Sequence, residues 1–135
     1  SSVLYCLKEG SKLLKPGILP ADYEQQMAKL VEAELIKLGL LSTEDVVKQD
    51  PKKPLYKKYF MHGTAHYIGL DVHDVGLYSR PFEVGMVLTC EPGIYISEEG
   101  IGCRLENDYL ITENGNVNLT AAMPIEIDEI EALMK

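Results

Sequence analysis

The chain is short of positive charge. Lysine and arginine number 13 against 21 aspartates and glutamates, a net of -8 over 135 residues, so a phosphate backbone or an anionic membrane would be repelled over most of the surface. Neither nucleic acid nor a membrane is expected as a partner. Cysteine is sparse too: Cys6, Cys90 and Cys103 are widely spaced and form no Cys-x-x-Cys pair, which fits neither a disulfide framework nor a zinc ribbon. Buried free thiols in a reducing compartment are expected instead. No apolar run reaches the roughly 18 residues that a membrane-spanning helix needs, and Ser1-Ser2-Val3 does not read as a signal peptide. A cytoplasmic protein is therefore expected, and the sequon Asn118-Leu119-Thr120 is read as accidental. The chain also lacks a starting methionine and enters a helical pattern almost at once. We expect it to be a portion of a longer protein.

What is present is globular in composition, 46% hydrophobic and 25% charged. Val3, Leu4, Leu7 and Leu14 fall on one face at helical spacing before Pro16-Gly17. A second helix is expected from Asp22 as cap, with Gln25 completing a box-like pair, an apolar stripe of Met27, Leu30, Val31, Leu35 and Leu38, and Gly39 as terminator. Ser42 or Thr43 can cap a short third helix that ends before Asp50-Pro51. The basic, aromatic run Lys52 to Lys58 reads as a solvated connector, with a place on a substrate rim as the alternative.

From Met86 the texture turns to β, with expected strands at Met86 to Cys90, Ile94 to Ile96, Arg104 to Asn107 and Tyr109 to Thr112. A last helix, Asp128 to Lys135, would dock on the sheet through Ile130, Leu133 and Met134. Helices followed by short antiparallel strands argue for an α+β domain over residues 1–135.

All three histidines, His62, His66 and His73, fall within Phe60 to Gly76, with three glycines and two aspartates. Gly63, Gly69 and Tyr67-Ile68 argue against a helix there. In a looping backbone the rings of His62 and His66 would diverge, one to a metal and one to substrate. His73-Asp74 reads as an imidazole-carboxylate pair. Glu91 ends the apolar run Val87-Leu88-Thr89-Cys90, where a carboxylate is costly to desolvate without a cation. Arg104 and Glu106 share a face by alternation, opposite Leu105. One histidine with two glutamates from separate strands makes a ligand set suited to manganese, cobalt, iron or zinc.

Taken in order, His62-Gly63-x-x-His66-x-x-Gly69-x-x-x-His73-Asp74-Val75-Gly76, Glu91-Pro92-Gly93-Ile94-Tyr95 and Gly102-x-Arg104-Leu105-Glu106-Asn107-Asp108 resemble the second half of the pita-bread metallopeptidases. The His-Asp-Val-Gly segment is similar to the aminopeptidase P and prolidase branch, and the tail, Asn118 to Ala121 with Glu129 to Met134, to its bacterial aminopeptidase P members. The resemblance implies half of a pita-bread fold, with helices packed on a short-stranded, mainly antiparallel sheet. It implies two divalent ions, manganese before cobalt, zinc or iron, with His66 and Glu91 on one ion and Glu106 bridging both. His62 and His73 would line the substrate pocket, His73 bonding the peptide near the scissile bond. Tyr95 and Arg104 would support the site, Arg104 by holding carboxylates, and Glu91 would take a proton from the attacking water. Substrates would be peptides with proline in second position. Two cations about 3.5–4 Å apart suit that chemistry, polarising the carbonyl and stabilising the oxyanion.

The family's two aspartate ligands, about ten residues apart on a hairpin in its first half, have no counterpart before His62. Asp22 reads as a cap, and Asp45 and Asp50 lie in or beside a short helix. With two of five ligands missing, the chain alone is expected to be inactive, and its uncovered sheet should promote a homo-oligomer. Asn107 stands where many relatives are acidic. The rival readings are a prolidase, a non-catalytic peptide-binding module that has lost its metal, and a structural domain.

Overall fold

Apolar spacing in the first forty residues builds two helices, α1 (Ser2–Ser11) and α2 (Pro20–Lys37), packed on each other. In this computed structural model, which describes all 135 residues, α2 starts earlier than its polar signals suggest. Leu19 is the N-cap and Pro20 opens the helix, where its fixed φ and missing N–H cost nothing. Asp22 is not the cap: it lies in the first turn, where its charge meets the positive helix end. Gly39 ends the helix region at φ +73°, as expected. Helix α3 (Thr43–Lys48) is capped by Ser42, whose side chain accepts from the Asp45 N–H at 3.0 Å.

A 3-10 turn at Leu55–Lys58 leads into the histidine stretch. Beyond it, β1 (Val87–Cys90), β4 (Asn107–Thr112) and β5 (Gly115–Asn118) form an antiparallel sheet in the order β1-β4-β5. Strands β2 (Gly93–Ile96) and β3 (Ile101–Arg104) make a separate antiparallel hairpin. The expected strand Arg104 to Asn107 is thus corrected: Arg104 ends β3, Asn107 begins β4, and Leu105-Glu106 join them. Strand β5 was not expected; the Glu113-Asn114 loop folds Gly115 back opposite Thr112.

Both helices cover the strands and divide the core in two. Leu7, Leu14, Tyr23 and Met27 meet Leu88, Cys90, Tyr109 and Ile111 of the larger sheet. Val3, Cys6, Val31 and Leu35 meet Tyr59, Phe60 and Ile94 beneath the hairpin. Each fully buried side chain of this size contributes about 1.5–3 kcal/mol. Helix α4 (Ile127–Leu133) does not dock by the expected face, since Leu133 and Met134 stay exposed. Cys6 and Cys90 are buried as expected, whereas Cys103 is exposed because β3 pairs only with β2 and all four of its residues face outward.

Candidate metal centre

The histidine stretch runs beside β1. Tyr67 bridges Leu88, the Thr89 N–H donates to the His66 carbonyl at 3.0 Å, and the His66 N–H donates to Thr89 Oγ1 at 3.0 Å. The Glu91 N–H donates to the Thr64 carbonyl at 2.8 Å. Two residues far apart in sequence are thereby fixed side by side on adjoining backbone.

Glu106 completes the group. Ligand atoms of His66, Glu91 and Glu106 all lie within 4.8 Å of one another. The His66 Nδ1–H donates to the Tyr67 carbonyl at 2.9 Å, which leaves Nε2 with a lone pair for a cation. Arg104 Nε stands 3.8 Å from Glu106 Oε2, so the pair approaches from strand ends and not from one alternating strand. Burial first, and then the Glu106 charge, push the Glu91 carboxyl above its ordinary range, against the pull of His66, His62 and Arg104. Two acidic side chains held this close, one of them 14% exposed, fit a divalent cation.

His62 also stands near Glu91, its Nδ1 3.9 Å from Glu91 Oε1. Its ring therefore does not diverge from the His66 site as the sequence suggests; both converge on Glu91. The His62 Nδ1–H donates to the Gly63 carbonyl at 2.7 Å, so Nε2 accepts from the Tyr95 hydroxyl at 2.9 Å. The Tyr95 ring reaches His62 by lying on two glycines. A Cβ at Gly93 would stand 2.8 Å from that ring, and one at Gly102, the cross-strand partner of Tyr95, 2.7 Å.

His73 is exposed and its ring faces that of His66, with centroids 4.3 Å apart. It does not pair with Asp74. Asp74 accepts instead from the backbone N–H groups of Leu70 and Val75, at 2.9 and 2.8 Å. A Cβ at Gly69 would stand 2.0 Å from Asp74 Oδ2, so glycine is what lets the loop close on that carboxylate. The sequence singled out every side chain around the centre but missed one of its supports, Glu24 of α2, which lies against the loop at Thr64 and Ala65.

Known proteins resemble this chain in sequence and fold. Over 98% of its length the chain is 42% identical to the Xaa-Pro aminopeptidase of Escherichia coli, and over 98% it is 32% identical to human Xaa-Pro aminopeptidase 3. It spans about a third of the length of these relatives, 32% and 28% respectively. Among solved structures, zinc-substituted E. coli aminopeptidase P in complex with product superposes with a TM-score of 0.85 at 40% identity, over 98% of this chain and 32% of that one. The α+β arrangement of helices on small antiparallel sheets is that of the pita-bread fold of these neighbours. The model of metallopeptidase family M24 matches residues 1–113, and the chain belongs to that family.

Proposed function

We propose that the protein to which this chain belongs removes the first residue from peptides with proline in second position, as an Xaa-Pro aminopeptidase. The observation that carries the reading is the convergence of His66, Glu91 and Glu106, in a chain 42% identical to an Xaa-Pro aminopeptidase. These three would hold divalent metal, with manganese as the ion and Glu106 shared between two of them. Bound there, divalent ions supply Lewis-acid polarisation of the scissile carbonyl and offset the charge that develops on it.

The chain's own groups do the rest. Glu91 takes and holds the proton of the attacking water on its carboxylate. His62, oriented by Tyr95, and His73, on the open side of His66, bind and align the peptide. Arg104 keeps the Glu106 carboxylate turned toward the centre. Residues 1–135 form the C-terminal portion of the catalytic domain and supply three of five ligands, so we expect the chain by itself to be inactive. Two buried free thiols support a cytoplasmic setting. Exposed Leu70, Val72 and Val75 support self-association when nothing covers them.

The test joins this chain to the upstream segment its relatives possess and assays Xaa-Pro-Yaa tripeptides and Xaa-Pro dipeptides with manganese. Tripeptide cleavage that His66→Ala abolishes is expected. Cleavage of dipeptides alone would make the protein a prolidase, and cleavage of neither would favour a peptide-binding module. Robust manganese-dependent peptidase activity from the 135-residue chain would overturn its predicted inactivity.

A further inference from the structure

We propose that Glu24 is a positioning residue for the metal centre, gripping from helix α2 the backbone that presents His66 and Glu91; the inference rests on the metal-site reading above. Its Oε1 accepts from the N–H groups of Thr64 at 2.8 Å and Ala65 at 3.1 Å, and its Oε2 accepts from the Thr64 hydroxyl at 3.1 Å. No backbone carbonyl serves either amide. Thr64 is fully buried, so losing this acceptor would strand donors that water does not reach.

The grip passes to both ligands. Ala65 adjoins His66, and the Thr64 carbonyl accepts from the Glu91 N–H at 2.8 Å. The preceding helix residue acts in parallel: the Tyr23 hydroxyl donates to Cys90 Sγ at 3.2 Å, one residue before Glu91. Consecutive side chains of α2 thus hold the two segments that must meet for the ligands to converge. Nothing about Glu24 in the sequence distinguishes it from a solvated helix carboxylate.

The contact geometry makes a specific demand. Reach matters more than charge, because one carboxylate must span two successive amides and a hydroxyl. Glu24→Gln keeps an oxygen for the amides and an NH2 that can donate to the Thr64 hydroxyl, whereas Glu24→Asp keeps the charge but is one methylene short. A field effect of Glu24 on the cation would give the opposite order.

The experiment measures amide hydrogen exchange of Thr64 and Ala65 in the metal-free 135-residue chain, and Co(II) affinity with the visible spectrum of the bound ion. Glu24→Ala and Glu24→Asp should expose both amides and weaken Co(II) about tenfold or more, with an altered spectrum, while Glu24→Gln stays within about threefold of wild type. If Glu24→Ala is folded and binds Co(II) with unchanged affinity and spectrum, whatever its melting temperature, Glu24 is merely structural and the proposal fails. It also fails if Glu24→Asp outperforms Glu24→Gln, a comparison that stands even where Glu24→Ala does not fold. Wild type that takes up no Co(II) would sink the metal-site reading, and amide protection unchanged in the variants would then sink the grip separately.

Discussion

Glu91→Gln should stabilise the metal-free chain. Glu91 is 14% exposed, makes no side-chain hydrogen bond, and lies with Glu106 in a group whose ligand atoms are within 4.8 Å of one another. At that separation two negative charges repel by about 3.5 kcal/mol with an effective dielectric of 20 and about 1 kcal/mol in water. Glu106, 36% exposed, is well screened, and the imidazoles and Arg104 offset part of the repulsion, so the lower figure of about 1 kcal/mol governs. For a domain of this size that is about 3–5 °C in melting temperature.

The sign with pH follows from the raised carboxyl. Below the ordinary glutamate value the residue is protonated in both folded and unfolded chains, and the variant gains little. As pH rises past that value the unfolded chain ionises freely while the folded one resists, so wild type loses stability and glutamine does not. Thermal melts followed by circular dichroism in EDTA at pH 7.5 and pH 4 should show the gap open at the higher pH and close at the lower. Added manganese should reverse the order by raising the wild-type midpoint, because a ligand that binds only the native state stabilises it. A Glu91→Gln chain that melts lower than wild type in EDTA at pH 7.5 would refute the reasoning, because Glu91 would then have a structural partner and not an unmet need for a cation.

Burial pushes the thiols of Cys6 and Cys90 up to about 12, whereas Cys103 is exposed, so a thiol reagent at pH 8 should titrate one cysteine in the native chain and all three after denaturation. Gly102→Ala should cost about 1–3 kcal/mol in chemical denaturation and shift the His62 ring resonances, because its Cβ would drive Tyr95 off His62. Leu35→Ala, in a fully buried position under the hairpin, should cost about 2–5 kcal/mol in the same measurement.

The centre was legible where its residues depart from the pattern around them. Three clustered histidines, and Glu91 at the end of an apolar strand, mark themselves. The supports were not legible. Glu24 is an ordinary helix carboxylate until the fold brings Thr64 against it. Asp74 was read with its neighbour His73, but two backbone amides closer at hand compete for a short carboxylate and win. Strand β5, Gly115-Asn116-Val117-Asn118, has little β propensity of its own and forms because β4 offers a pairing edge through a tight loop. The reading of Cys103 as buried failed for a related reason: a cysteine in a strand is buried only if something covers that strand, and nothing in a local pattern says how many strands a sheet will have.

The most direct test of the account is a calorimetric titration of manganese into the metal-free 135-residue chain, repeated with His66→Ala and Glu106→Gln. Uptake of about one ion by wild type, and its loss in both variants, is the expected result. Absence of uptake, or uptake that survives His66→Ala, would contradict the claim that His66, Glu91 and Glu106 are built to hold metal.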